Sequence, residues 1–86
     1  MDKNNLKELK QIASNLKPQF NIGKSGITQT FIDAITKYLK ANNIVKIKVL
    51  SAQNKDVVKE ISNQISQETD SIEIYKRGFT FVLYKE

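Results

Sequence analysis

FNIGKSGITQTFIDAITKYLKANNIVKIKV, residues 20–49, decides how this chain is built. Phe20-Asn21-Ile22 reads as a short strand. Gly23-Lys24-Ser25-Gly26 follows as a loop, because glycine adopts backbone angles that other residues resist. Thr28 is placed to cap a helix. Phe31, Ala34, Ile35, Tyr38 and Leu39 recur at helical spacing, and Ile32 widens their face. Asn42-Asn43 ends the helix, since Asn tolerates turn and left-handed conformations. Ile44 to Leu50 then alternates as a strand, with Val45, Ile47 and Val49 on one side and Lys46 and Lys48 on the other. A strand, a helix and a strand in this order predict a parallel pair with a crossover.

Leu6, Leu9, Ile12, Ala13 and Leu16 predict a first helix over about 5–16. Asn5 and Glu8 have capping-box spacing. Pro18 biases Lys17 away from helix. On the other side, Asn54 can cap a third helix with Asp56 in its first turn. Val57, Val58, Ile61 and Ile65 form that helix's stripe. Ser71–Lys76 and Phe79–Tyr84 read as two strands joined by a turn at Arg77-Gly78. The expected fold is α/β in the order α-β-α-β-α-β-β, with helices packed on a mixed four-stranded sheet.

Eighty-six residues make a single domain, 1–86. The chain has no Cys and no His. A disulfide framework, a Cys/His zinc site and catalysis by a His base or Cys nucleophile are therefore excluded. No metal or cofactor is expected. The polar start, Met1-Asp2-Lys3-Asn4-Asn5, leads into no signal-type apolar run, and no stretch is long enough to span a membrane. A cytoplasmic location is the expectation.

The net charge is +5. Residues 1–48 hold nine Lys against three acids, a balance of +6. Residues 49–86 hold five basic and six acidic residues, a balance of −1. The positive excess thus lies in the half that carries the glycine loop, which favours a polyanionic partner.

Gly-Lys-Ser also ends a Walker A loop, but that motif needs a glycine five residues earlier. Pro18 stands there, so an NTPase is disfavoured. The G-x-x-G spacing is closer to the clamp by which KH-type domains grip a nucleic-acid backbone. The plain alternative is a strand-to-helix turn that needs positive φ. Lys46 and Lys48 either protect an edge strand or contact phosphate. Lys3, Lys7 and Lys10 share a helical stripe, as a solvated face or as an electrostatic arm beside the loop. Phe20, Phe31, Tyr38, Tyr75, Phe79, Phe81 and Tyr84 are mainly core candidates.

Leu16-Lys17-Pro18, Ile22 to Thr28, Ile44 to Val49 and Val82-Leu83-Tyr84-Lys85 together resemble the CRM domain, the chloroplast RNA splicing and ribosome maturation family. Its bacterial members are stand-alone YhbY-like proteins of this length. The resemblance implies a fold similar to the C-terminal domain of a bacterial translation initiation factor. It implies an RNA-binding loop at Gly23, Lys24, Ser25 and Gly26, and association with precursors of the large ribosomal subunit. Two positions depart from the family pattern. Ser14 and Asn15 stand before Leu16 where the family often has His. Phe79 follows Gly78 where it often has Arg.

The expected function is non-catalytic RNA binding by a monomer that assists assembly of the large (50S) subunit, with ribosomal RNA as partner. Gly23, Lys24, Ser25, Gly26 and Thr28 would capture phosphate. Lys7, Lys10, Lys17, Lys46, Lys48 and Arg77 would extend the basic surface. The alternative is a protein-interaction module whose lysines serve solubility. An enzyme ranks last, for want of a nucleophile–base pair or metal cluster.

Overall fold

The computed structural model describes residues 3–23, 26–52 and 54–86. The elements run α1 (Lys3–Asn15), β1 (Phe20–Ile22), α2 (Gln29–Asn42), β2 (Ile44–Val49), α3 (Lys55–Thr69), β3 (Ile72–Arg77) and β4 (Thr80–Tyr84). This is the α-β-α-β-α-β-β order that the apolar periodicity predicts.

The four strands form one mixed sheet in the order β1-β2-β4-β3. β1 and β2 pair in parallel, and β4 pairs antiparallel with both β2 and β3. Alternation along each strand sends residues to two unlike faces. Ile22, Val45, Ile47, Val49, Phe81 and Leu83 point to the face covered by α2 and α3, where they meet Ile32, Ile35, Leu39, Val58 and Ile65. Each such buried aliphatic side chain is worth about 1.5–3 kcal/mol in transfer free energy. Phe20 lies at the rim of this core, edge-on to Phe31 (centroids 5.8 Å) and to Tyr38 (5.6 Å).

The opposite face belongs to α1. Ala13 is buried there with Ile74 and Val82, and Leu9, Ile44, Tyr75 and Tyr84 pack around them. This second core is small. Ile12, expected in the apolar stripe of α1, is 51% exposed, because a helix lying on a sheet buries only the seam that faces it.

Local chemistry sets several boundaries. The Thr28 hydroxyl accepts the Phe31 N–H at 3.1 Å, and Asn54 Oδ1 accepts the Val57 N–H at 3.0 Å, so both expected N-caps form. Asn43 ends α2 in the left-handed region, with φ 67. Asp70 does the same after α3, with φ 53. The Ser71 N–H then reaches the Ser66 carbonyl at 2.9 Å, closing the helix end.

Several boundaries differ from the sequence reading. α1 is already helical at Lys3, so Asn5 sits inside it and is not its N-cap. No Gly or Pro precedes Asn5 to halt the helix there. β2 stops at Val49, and Leu50 is outside the strand. β3 runs one residue further, to Arg77. The hairpin turn therefore falls on Gly78-Phe79, between the paired residues Arg77 and Thr80. Gly78 alone of the two has positive φ, 61, the pattern of a two-residue type II′ turn. That places Phe79 in a turn, 41% exposed, and not in the core.

Candidate functional site

The glycine loop leaves the C-terminal end of β1 and enters α2. The Gly26 N–H donates to the Gly23 carbonyl at 3.1 Å, which closes a turn. Ile27 then tucks against the main core and Thr28 caps the helix. Lys24 and Ser25, the two residues between the glycines, lie outside the described residues. Thr28 uses its hydroxyl for Phe31 and its carbonyl for Ile32. The remaining first-turn donors of α2, the N–H groups of Gln29 and Thr30, make no hydrogen bond among the described residues.

The two glycines are not equivalent. Gly26 has φ +70, a conformation that L side chains rarely adopt. Gly23 has no positive φ. A Cβ at either position would meet nothing within 4 Å among the described residues. The turn reading thus accounts for Gly26, while at Gly23 neither φ nor a neighbour among the described residues calls for glycine.

The basic residues divide into engaged and exposed sets. The Lys46 Nζ donates to the carbonyls of Leu16 at 2.8 Å and Ala13 at 3.1 Å. It also lies 5.9 Å from the centre of the Tyr75 ring. This ammonium closes the C-terminal end of α1, where the helix's last turn has no basic residue of its own. β2 is an interior strand, so the edge-protection reading of Lys46 and Lys48 is wrong for both. The Lys46 ammonium is thus engaged with two backbone carbonyls within the fold. Lys85 acts likewise at α3, donating to the Thr69 carbonyl at 3.2 Å.

Lys48 and Arg77 are exposed. The register places both at the end of the sheet from which the glycine loop emerges. Lys7 and Lys10 are exposed on α1. Lys10 stands beside Glu73, Tyr75 and Lys76 of β3. β3 is the opposite edge of the sheet from β1, so Lys10 is not gathered at the loop. Lys17 is exposed on the link before β1, at the other end of that strand. The structure therefore brings Lys48 and Arg77 toward the loop's end of the sheet and leaves Lys10 and Lys17 apart from it.

Among the described residues no cluster of acidic, His or Cys groups could hold a metal ion. No described helix is long and apolar enough to cross a membrane.

A sequence model described as the CRS1 / YhbY (CRM) domain matches residues 1–85. The chain belongs to this family. One relative is the "Probable RNA-binding protein YqeI" of Bacillus subtilis (strain 168), 31% identical over 78 residues, covering 91% of this chain and 80% of that one. "CRS2-associated factor 1, mitochondrial" of Oryza sativa subsp. japonica is 26% identical over 72 residues, which are 84% of this chain and 17% of that much longer one. A Staphylococcus aureus protein solved in solution, and proposed to bind RNA, superposes with a TM-score of 0.81 at 30% identity. That match covers 100% of this chain and 88% of the other. The family resemblance read from four sequence blocks is therefore correct, and it extends to the fold.

Sequence reasoning did not single out Asn21. It lies on the exposed side of β1, directly opposite Lys48 in the register. A polar residue in a three-residue strand signals a solvent-facing side. Its neighbour across the sheet is set only by the pairing.

Proposed function

We propose that this CRM-family protein is a non-catalytic, monomeric, cytoplasmic RNA-binding module that holds precursor ribosomal RNA and assists assembly of the large (50S) subunit. Gly23 carries the reading. Neither its φ nor any neighbour among the described residues calls for glycine, and a close approach by a ligand would account for it. Captured phosphate would meet the backbone donors at the start of α2, with Lys24 adding a charge-assisted bond. The names of the Bacillus relative and the Staphylococcus structure support RNA as the partner. The role in the large subunit rests on what the family resemblance implies.

Crosslinking in cells, followed by sequencing of the attached RNA, tests the partner. Fragments from one region of large-subunit ribosomal RNA are expected. Co-sedimentation with large-subunit precursors under low-salt lysis is expected with them. Recovery only with the small subunit, or only as free protein, overturns the assembly role.

Lys24 provides a separate test at the loop. Each phosphate contact on a single strand contributes about 0.7 to the slope of log affinity against log salt. Lys24→Ala should make that slope shallower by about this amount, and should weaken different RNA sequences equally. An unchanged slope removes Lys24 from the site.

A further inference from the structure

The side of the sheet that carries α1 is only partly covered. Leu9 and Ala13 sit over Ile74, Val82, Ile44 and Tyr84, and Lys46 marks where the C-terminal end of α1 lies over β2. One pleat further toward the glycine loop, the register aligns Asn21 with Lys48, Lys48 with Thr80, and Thr80 with Arg77. Partners directly opposite in a ladder point to the same face. Asn21, Lys48, Thr80 and Arg77 therefore form one row across all four strands. Three of the four are exposed, and Thr80 is half-buried. With strands about 4.8 Å apart, the row is roughly 14 Å wide. It begins at Asn21, two residues before Gly23.

We propose that this row is a second phosphate-binding surface, over which a single-stranded RNA segment held at the glycine loop continues across the sheet toward β3. The proposal rests on the RNA-binding reading above and extends it to a surface that the loop does not include. Both charges in the row are positive, and they stand two strands apart. Lys48 offers a point charge to a phosphate, and Arg77 a planar fork that grips two phosphate oxygens. Asn21 and Thr80 add uncharged groups that hydrogen-bond to phosphate or ribose hydroxyl. The row holds no aromatic side chain on which a base would stack. The surface therefore follows the RNA backbone and carries no sequence preference. The path is directional, from the loop at β1 to Arg77 at β3.

The test uses the full chain with Lys48→Gln and Arg77→Gln combined. Lys37→Gln with Lys40→Gln, late in α2 and exposed, removes the same charge elsewhere. The probes are oligouridine of about four nucleotides, the length a G-x-x-G loop clamps, and oligouridine about three times longer. The row variant should bind the short probe like the parent. On the long probe it should lose affinity, with a salt slope shallower by about 1.4, two contacts at about 0.7 each. The α2 variant should change the slope less, and oligoadenosine should behave like oligouridine. Equal binding of the long probe by row variant and parent overturns the row and leaves the loop reading standing. Loss of the short probe in Gly23→Asp, with a long-probe deficit in the row variant that the α2 variant does not show, supports both. Full binding by Gly23→Asp beside a weak row variant overturns the loop reading and the path that starts there, and leaves the row as a phosphate-binding surface.

Discussion

Gly23→Asp should lower RNA affinity by about tenfold or more while leaving the melting temperature close to the parent's. Position 23 has neither positive φ nor a neighbour within 4 Å of an added Cβ among the described residues. The fold can therefore accept the side chain. The carboxylate would then stand where the loop is proposed to meet phosphate. Two like charges about 4 Å apart repel by about 1 kcal/mol in water and about 4 kcal/mol at the effective dielectric of a protein surface. Each 1.4 kcal/mol is about tenfold in affinity. Gly26 makes the contrast. Its φ of +70 means that Gly26→Ala costs about 1–2 kcal/mol of stability before any ligand is considered. Fluorescence anisotropy with oligouridine and circular-dichroism melts separate the two effects. A folded Gly23→Asp protein that binds RNA like the parent would show that the loop is only a turn.

Lys46→Met should destabilise the protein by about 2 kcal/mol, and Lys48→Met should not. The Lys46 ammonium is half-buried and donates to two carbonyls at the end of α1. A hydrogen bond to a charged group is worth about 1.5–3 kcal/mol, and a cation at a helix C-terminus about 0.3–1 kcal/mol. These terms overlap, since both come from the same ammonium at one helix end, so they do not add in full. For a domain of this size 1 kcal/mol shifts the melting temperature by about 4–8 °C, which makes the expected fall about 8–16 °C. The loss falls on α1, because its second core against the sheet is small. Far-ultraviolet and near-ultraviolet melts of the two single variants give the answer. An unchanged melting point in Lys46→Met, accompanied by weaker RNA binding, would return Lys46 to the binding surface.

These two residues mark the limits of what could be read from the chain. Val45-Lys46-Ile47-Lys48-Val49 reveals by alternation that Lys46 and Lys48 share a face. It does not reveal that β2 lies inside the sheet. Strand order depends on which strand β4 joins, a pairing with a segment more than thirty residues away. Two lysines on one strand face suit edge protection, but an interior strand has no edge to protect. Phe79 failed for a related reason. The sequence places the turn at Arg77-Gly78, but pairing of Arg77 with Thr80 moves it by one residue and carries the ring out of the core.

Local chemistry was more legible. Thr28, Asn43 and Asn54 act within their own turns, through bonds to backbone three or four residues away. Such bonds need no tertiary partner, so residue type and position sufficed. Asn5 was the exception, because a helix with no breaker ahead of it simply starts earlier.

By itself the sequence determined the element order, the apolar faces, both caps of α2, the N-cap of α3, and the glycine loop between strand and helix. These follow from periodicity and from short-range hydrogen bonding. Only the tertiary structure decided which lysines are engaged within the fold and which stand exposed. Lys46 and Lys48 are two residues apart on one face of one strand. One reaches the end of α1 and closes it, while the other stands exposed in a row with Asn21, Thr80 and Arg77. The difference lies in where α1 ends over the sheet, a distance in space that no spacing along the chain encodes.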